Sequence, residues 1–293
     1  MNPLQSMKED YLATEIPDEL ELVVRKTVQN HAKSQRNRKW LKVSLLAAAV
    51  VAGVFVGGVN ISPKAAHAFS QVPVLGGVVR LVTIKNFVHH DEGFEATVKI
   101  PEIQGMDNTA LQDRLNEKYL EEGQKLYADF QAEADELKKQ GVQNKALFSG
   151  YETKLNNEKL LVIKRQTVDV QASGAQSVKY DTIDKVNKVV VTLPSLFRNG
   201  DYVQHISAEI KRQMRQQASS DNEKIYFIVG ENGSEDGFKQ IDKNQTFYIN
   251  NEGKLVIVFN EYEVAPGSMG IVEFVIPTNV IQQDLVSNYY VKQ

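Results

Sequence analysis

Hydrophobic and polar positions follow three patterns along this chain, and each marks a region. Residues 43–61, VSLLAAAVVAGVFVGGVNI, form an unbroken apolar, uncharged run. That is long enough for one membrane crossing, which takes ~20 residues of helix. Upstream, Leu20, Val23, Val24, Thr27, Val28 and His31 recur at helical spacing, with Arg25, Lys26 and Gln29 on the opposite face. Ile16-Pro17-Asp18-Glu19-Leu20 opens that helix. Proline suits a first helical position, and the acids suit the positive end of the helix dipole.

Downstream the period changes to two. Residues 83–87, 94–100, 148–153, 159–172, 178–180, 188–192, 225–229, 247–249, 255–259 and 271–276 alternate or run apolar as strands do. Two helical stretches interrupt them. Residues 107–140 carry the stripe Leu111, Leu115, Leu120, Leu126, Phe130 and Leu137, with Gly141 placed to end the helix. Residues 202–217 carry Ile206, Ile210 and Met214 on one face. Asn232-Gly233 and Glu252-Gly253 predict turns. The predicted class is α+β: an antiparallel β-sheet region with two amphipathic helices, preceded by one transmembrane helix and a short cytoplasmic helical segment.

Charge orients the span. Lys33, Arg36, Arg38, Lys39 and Lys42 crowd its N-terminal flank beside Trp40, whereas Lys64 is the sole charge between its end and Leu75. By the positive-inside rule the N-terminus is cytoplasmic and everything after Ile61 is extracytoplasmic. Pro63 and then Ala66-His67-Ala68 resemble a signal-peptidase site, with cleavage between Ala68 and Phe69. The apolar run exceeds the roughly 7–15 residues of an ordinary secretory signal, so the segment reads as an anchor that also carries a cleavage site. A lone amphipathic helix is marginal in water. The cytoplasmic one therefore has either a protein partner, with Ile16, Leu20, Val23, Val24 and Val28 as the contact, or the membrane surface beside its basic cluster. The predicted divisions are 1–42, 43–61, a connector 62–83, and two external α+β parts, 84–172 and 173–293.

Composition then excludes functions. With 293 residues, 42% hydrophobic, 24% charged and a net charge of -3, the chain is neither disordered nor a non-specific nucleic-acid binder. It has no cysteine, which removes disulfides, thiolate metal sites and cysteine nucleophiles. None of the G-x-S-x-G, H-E-x-x-H, Walker or G-x-G-x-x-G patterns occurs. His89 and His90 sit beside Asp91 and Glu92, but neighbours in an extended segment point to opposite faces, so these predict a turn rather than a metal site. His205 reads as a packing residue. No enzyme activity, cofactor or metal is expected.

Four segments together resemble a known family. They are Ile16-Pro17-x-x-Leu20; Val72-Pro73-Val74-Leu75-Gly76-Gly77; Val191-Thr192-Leu193-Pro194-Ser195-Leu196-Phe197 with the helix after it; and Phe259-Asn260-Glu261-Tyr262-Glu263-Val264-Ala265-Pro266 with Gly270 and the next strand. This arrangement is similar to the anti-sigma factors of extracytoplasmic-function sigma factors, most of all the anti-sigma-V (RsiV) type, over nearly the whole chain. The resemblance implies a single-pass membrane protein whose cytoplasmic segment holds a sigma factor and whose external domain senses lysozyme or another envelope-damaging protein. It also implies successive cuts by signal peptidase and a site-2 protease. Ser173, Gly174, Pro266, Gly267 and Ser268 lie in loops expected at one end of the sheet, facing the ligand. Two departures stand out: Ser173-Gly174-Ala175-Gln176 replaces a Gly-Gly-Ala-His loop, and no aromatic follows Pro266. A membrane-anchored, non-catalytic cell-envelope or peptidoglycan-associated binding protein is the alternative. It would need no amphipathic partner face ahead of its anchor.

Overall fold

The computed structural model describes residues 79–292, apart from 92, 172–173 and 232–236. The cytoplasmic helix, the 43–61 span, the connector up to 78 with Ala66, Ala68 and Phe69, Ser173, and the Asn232-Gly233 turn lie outside the described residues. No helix among the described residues is long and apolar enough to cross a membrane.

The chain enters at Val79, which is buried against Ile100, Ile103 and Leu111. Its carbonyl accepts a hydrogen bond from Asn156 Nδ2 at 3.0 Å. Strands β1 (Arg80–Asp91) and β2 (Phe94–Gln104) then form a hairpin. Gly93 makes its turn at φ +79°, and an added Cβ there would sit 1.9 Å from the Gln143 carbonyl oxygen, so no larger residue fits. Helix α1 (Thr109–Lys139) follows. Asn108 caps it by accepting from the Leu111 amide at 3.2 Å, and Gly141 ends it at φ 78°. The buried stripe runs Leu111, Leu115, Tyr119, Gly123, Phe130, Ala134 and Leu137. Tyr119 takes the place expected of Leu120, which is only partly buried.

Beyond α1 come β3 (Lys145–Asn156), β4 (Leu160–Val170), β5 (Gly174–Asp184) and β6 (Val189–Val191). The six strands lie in sequence order in one sheet. The expected antiparallel sheet is mixed, because β2 and β3 pair in parallel. The reason is the crossover: α1 spans the sheet and carries the chain from the Gln104 end of β2 back to the Phe94 end, which a hairpin cannot do.

The remainder packs α2 (Tyr202–Ser220) on a three-stranded antiparallel sheet of β7 (Phe247–Ile249), β8 (Leu255–Phe259) and β9 (Val272–Ile276), followed by the short helix α3 (Thr278–Ile281). Tyr202, Ile206, Ile210 and Met214 face Ile257, Phe259 and Phe274 in the largest core. His205, on α2, pairs through Nδ1 with the buried Asp284 at 2.6 Å. A small cluster of Val178, Val256 and Val258 joins the two sheets. Residues 225–229, expected as a strand, form no ladder; Ile228 makes a single bridge to Phe238. Ile225, Phe227 and Val229 point outward and remain exposed, so their alternation imitates a half-buried strand. His89 packs edge-on against Phe130, 5.6 Å between centroids, while His90 pairs with Glu95 at 3.2 Å. The two imidazoles therefore diverge.

Candidate functional site

The strand that begins at Gly174 and the turn that precedes Pro266 are tied together through Asn260 and Glu261. Strand β6 pairs only with Thr182, Ile183 and Asp184 of β5. The first half of β5 would be left as a bare edge, with amides open to any passing strand. The turn after β8 covers it instead. Asn260 Oδ1 accepts from the Val178 amide and Glu261 Oε2 from the Gln176 amide, both at 2.7 Å. The Glu261 amide donates back to the Gln176 carbonyl at 3.2 Å.

This turn is itself braced. The Glu263 carboxylate accepts from the Asn260 amide at 2.8 Å and from Asn260 Nδ2 at 3.2 Å, and the Glu263 amide donates to the Asn260 carbonyl at 3.1 Å. Between them Tyr262 is held at φ 70°, a left-handed conformation uncommon for a bulky residue and costing of order 1–3 kcal/mol. Tyr262 is 52% exposed as a residue, and its ring lies over Gly267. A Cβ on Gly267 would sit 2.4 Å from that ring, so a larger residue there would push the ring aside. Gly267–Met269 forms one 3-10 turn, and Gly270 leaves it at φ 60°.

Of the expected ligand residues, Gly174 is exposed and pairs with Val170 as the first residue of β5 rather than lying in a loop. Pro266 and Gly267 are half-buried, and Ser268 is exposed. Residues 225–229 line the other side of the turn: the Phe227 amide donates to the Val264 carbonyl at 2.8 Å and the Ile225 amide to Met269 Sδ at 3.3 Å. The face thus presents the Gly174–Gln176 strand end, the Pro266–Ser268 turn, and an exposed aromatic between them. No aromatic follows Pro266 in this turn, and the exposed aromatic beside it is Tyr262. Exposed apolar side chains rimmed by polar groups suit a protein ligand. Among the described residues no group of three or more His, Cys, Asp or Glu is placed to hold a metal ion.

The chain is 40% identical over 289 residues to the anti-sigma-V factor RsiV of Bacillus subtilis (strain 168), covering 99% of each chain. It belongs to the anti-sigma-V factor family. That family is one of regulators, and this member is not an enzyme. Residues 194–279 match the domain family DUF3298, described as a protein of unknown function. A crystal structure of a DUF3298 member from Bacteroides fragilis NCTC 9343 is similar in fold, with a TM-score of 0.51 at 19% identity, over 72% of this chain and 95% of that one. In this anti-sigma-V family member the candidate face straddles the domain family's boundary. The turn with Tyr262 and Gly267 lies inside the matched stretch, and the β5 edge it covers lies outside.

Proposed function

We propose that this chain is a single-pass membrane anti-sigma factor. Residues 1–42 sequester an extracytoplasmic-function sigma factor through Ile16, Leu20, Val23, Val24 and Val28. Residues 43–61 anchor the chain in the cell membrane with its N-terminus cytoplasmic. The extracytoplasmic domain binds lysozyme, and binding leads to a cut between Ala68 and Phe69 by signal peptidase, then to cleavage of the stub by a site-2 protease. The observation that carries the reading is the end-to-end match to a protein named an anti-sigma factor. The joined β5 edge and Tyr262 turn support a protein ligand at that face, because a rigid apolar anchor inside a polar rim is what such interfaces use.

The test is an immunoblot of cells carrying the full-length chain, with and without lysozyme, in wild type and Ala68→Trp. Lysozyme should shorten the wild type and release sigma-dependent transcription; the bulky residue at Ala68 should leave the chain intact and transcription silent. Shortening that persists unchanged in Ala68→Trp places the first cut elsewhere. No shortening in wild type removes lysozyme as the signal.

A further inference from the structure

The two edges of the six-stranded sheet are finished differently. At one, β6 is three residues long, and the turn after β8 covers the first half of β5. At the other, β1 runs for twelve residues with β2 on one side of it. In an antiparallel pair about half of a strand's N–H and C=O groups point away from the partner. Between Arg80 and His90 those outward groups meet no backbone partner among the described residues. The Val88 carbonyl accepts from the Tyr127 hydroxyl at 3.2 Å, and a carbonyl keeps a second lone pair for another donor. A long bare edge of this kind is a template for a further strand.

The side chains of β1 say which strand fits. Ile84 and Val88 are large apolar residues left 51% and 59% exposed, and Ile84 is the extra residue of a bulge, passed over by the ladder between Thr83 and Lys85. They lie two residues to either side of Asn86. Antiparallel pairing of two β1 strands about Asn86 therefore sets Ile84 of each copy beside Val88 of the other. Lys85 is turned along its own strand, its ammonium 4.5 Å from the centre of the Phe87 ring. In this register it falls beside Phe87 of the second copy, so the two lysines do not face each other. The ends are complementary as well. β1 opens with Arg80 and closes with Asp91, which also holds Lys138, and Glu92 comes next in the chain. Antiparallel pairing brings the basic end of each strand to the acidic end of the other, whereas parallel pairing sets like charge on like. Such self-complementarity is what a two-fold contact requires, because each patch meets its own copy.

We propose that β1 is an interface with a second copy of this chain, the two strands pairing antiparallel about Asn86 and joining two six-stranded sheets into one. Backbone hydrogen bonds supply the attraction, and Ile84 and Val88 fix the register. The contact is separate from the candidate protein-binding face. That face lies at β5, across β2, β3 and β4 from β1, so pairing leaves it open in both copies.

The chain has no cysteine, so a single introduced one reports its own position. The experiment is oxidation of the purified full-length chain in detergent micelles with copper phenanthroline, read on a non-reducing gel. Asn86→Cys, at the two-fold axis, places two Cα atoms at the ~4.5–5.5 Å of opposed strand residues, a gap that a disulfide spans, and yields dimers. His90→Cys, exposed on the same strand, stays monomeric, because its counterpart lies about 27 Å away at ~3.4 Å per residue. Adding Ile84→Lys to Asn86→Cys cuts the linked fraction by about fivefold or more, since a lysine on an edge opposes pairing. Val88→Lys acts likewise. Both changes are at exposed side chains, and circular dichroism melts matching wild type keep a loss of linkage from being a loss of fold. No linkage at Asn86 overturns the proposal and leaves the edge to a strand of another protein. Equal linkage at His90, or linkage at Asn86 indifferent to both lysine variants, overturns it too, since association elsewhere in the chain does not single out Asn86.

Discussion

Replacing Asn260 by alanine isolates the contact on which the candidate face depends. Val178 is 3% exposed, and its amide finds its partner 2.7 Å away in Asn260 Oδ1. Alanine removes the acceptor and leaves a buried N–H unmatched, which costs ~1–3 kcal/mol. The second bond lost, Nδ2 to Glu263, is exposed, and water replaces it at little cost. The loss is therefore dominated by one amide. In a domain of this size each kcal/mol moves the melting temperature by ~2–4 °C, so about 2 kcal/mol lowers it by roughly 4–8 °C. Scanning calorimetry on a fragment spanning residues 73–293, the compact unit, gives the first number. Hydrogen exchange gives the second, as faster exchange confined to Val178 and its neighbours. Asn260→Asp keeps the acceptor but sets a carboxylate against Glu263. It should lose stability while preserving the protection of Val178. If Asn260→Ala melts within about 1 °C of wild type and the Val178 amide keeps its protection, the turn does not hold the β5 edge and the account of the face fails.

Other consequences can be checked separately. If Val24 packs on a sigma factor as proposed, Val24→Asp would remove ~1.5–3 kcal/mol of burial at that contact and add desolvation; sigma-dependent transcription should then become constitutive with the full-length protein still present on an immunoblot, and a pull-down with wild-type residues 1–42 should recover a sigma factor. Burial alone would raise the carboxyls of Asp181, Glu122 and Asp184, but Arg165 and Lys118 hold Asp181 below the usual range, Arg165 holds Glu122 there, and hydrogen bonds from Asn187 and Tyr290 hold Asp184 there. Their folded values lie below their unfolded ones, so this stability is complete above the ordinary carboxylate range and is lost as pH falls below ~4; urea midpoints measured down to about pH 2.5 should fall steadily. Ile206→Ala empties a fully buried position in the α2 core and should cost ~2–5 kcal/mol by urea unfolding.

Much of the fold was legible because burial writes its period into the chain. The stripe on α1, the Ile206, Ile210 and Met214 face of α2, and most strands follow directly from which positions must be apolar. What failed to be legible is long-range or stereochemical. The parallel β2–β3 pair depends on which end of the sheet a crossover reaches, and no local pattern records that. Ile225, Phe227 and Val229 alternate as a strand does, but face outward beside a loop instead of a partner strand. Asn260 and Glu261 cap an edge more than eighty residues away in sequence. Tyr262 carries no local mark of its left-handed backbone.

Val79 sets a leash. Buried on one side and hydrogen-bonded by Asn156 on the other, it fixes the point from which everything upstream departs. Ala68 precedes it by eleven residues, and that much chain, drawn fully taut, reaches ~36–40 Å. A folded body of this many residues has a radius of gyration of ~17 Å. The scissile bond proposed at Ala68 can therefore never stray farther from its foothold than about the breadth of the domain. Any protease approaching it must work in the shadow of that domain and of whatever the domain has bound. Lengthening the leash with inserted residues between 69 and 78 would weaken that shadow without touching the binding face or the cleavage sequence.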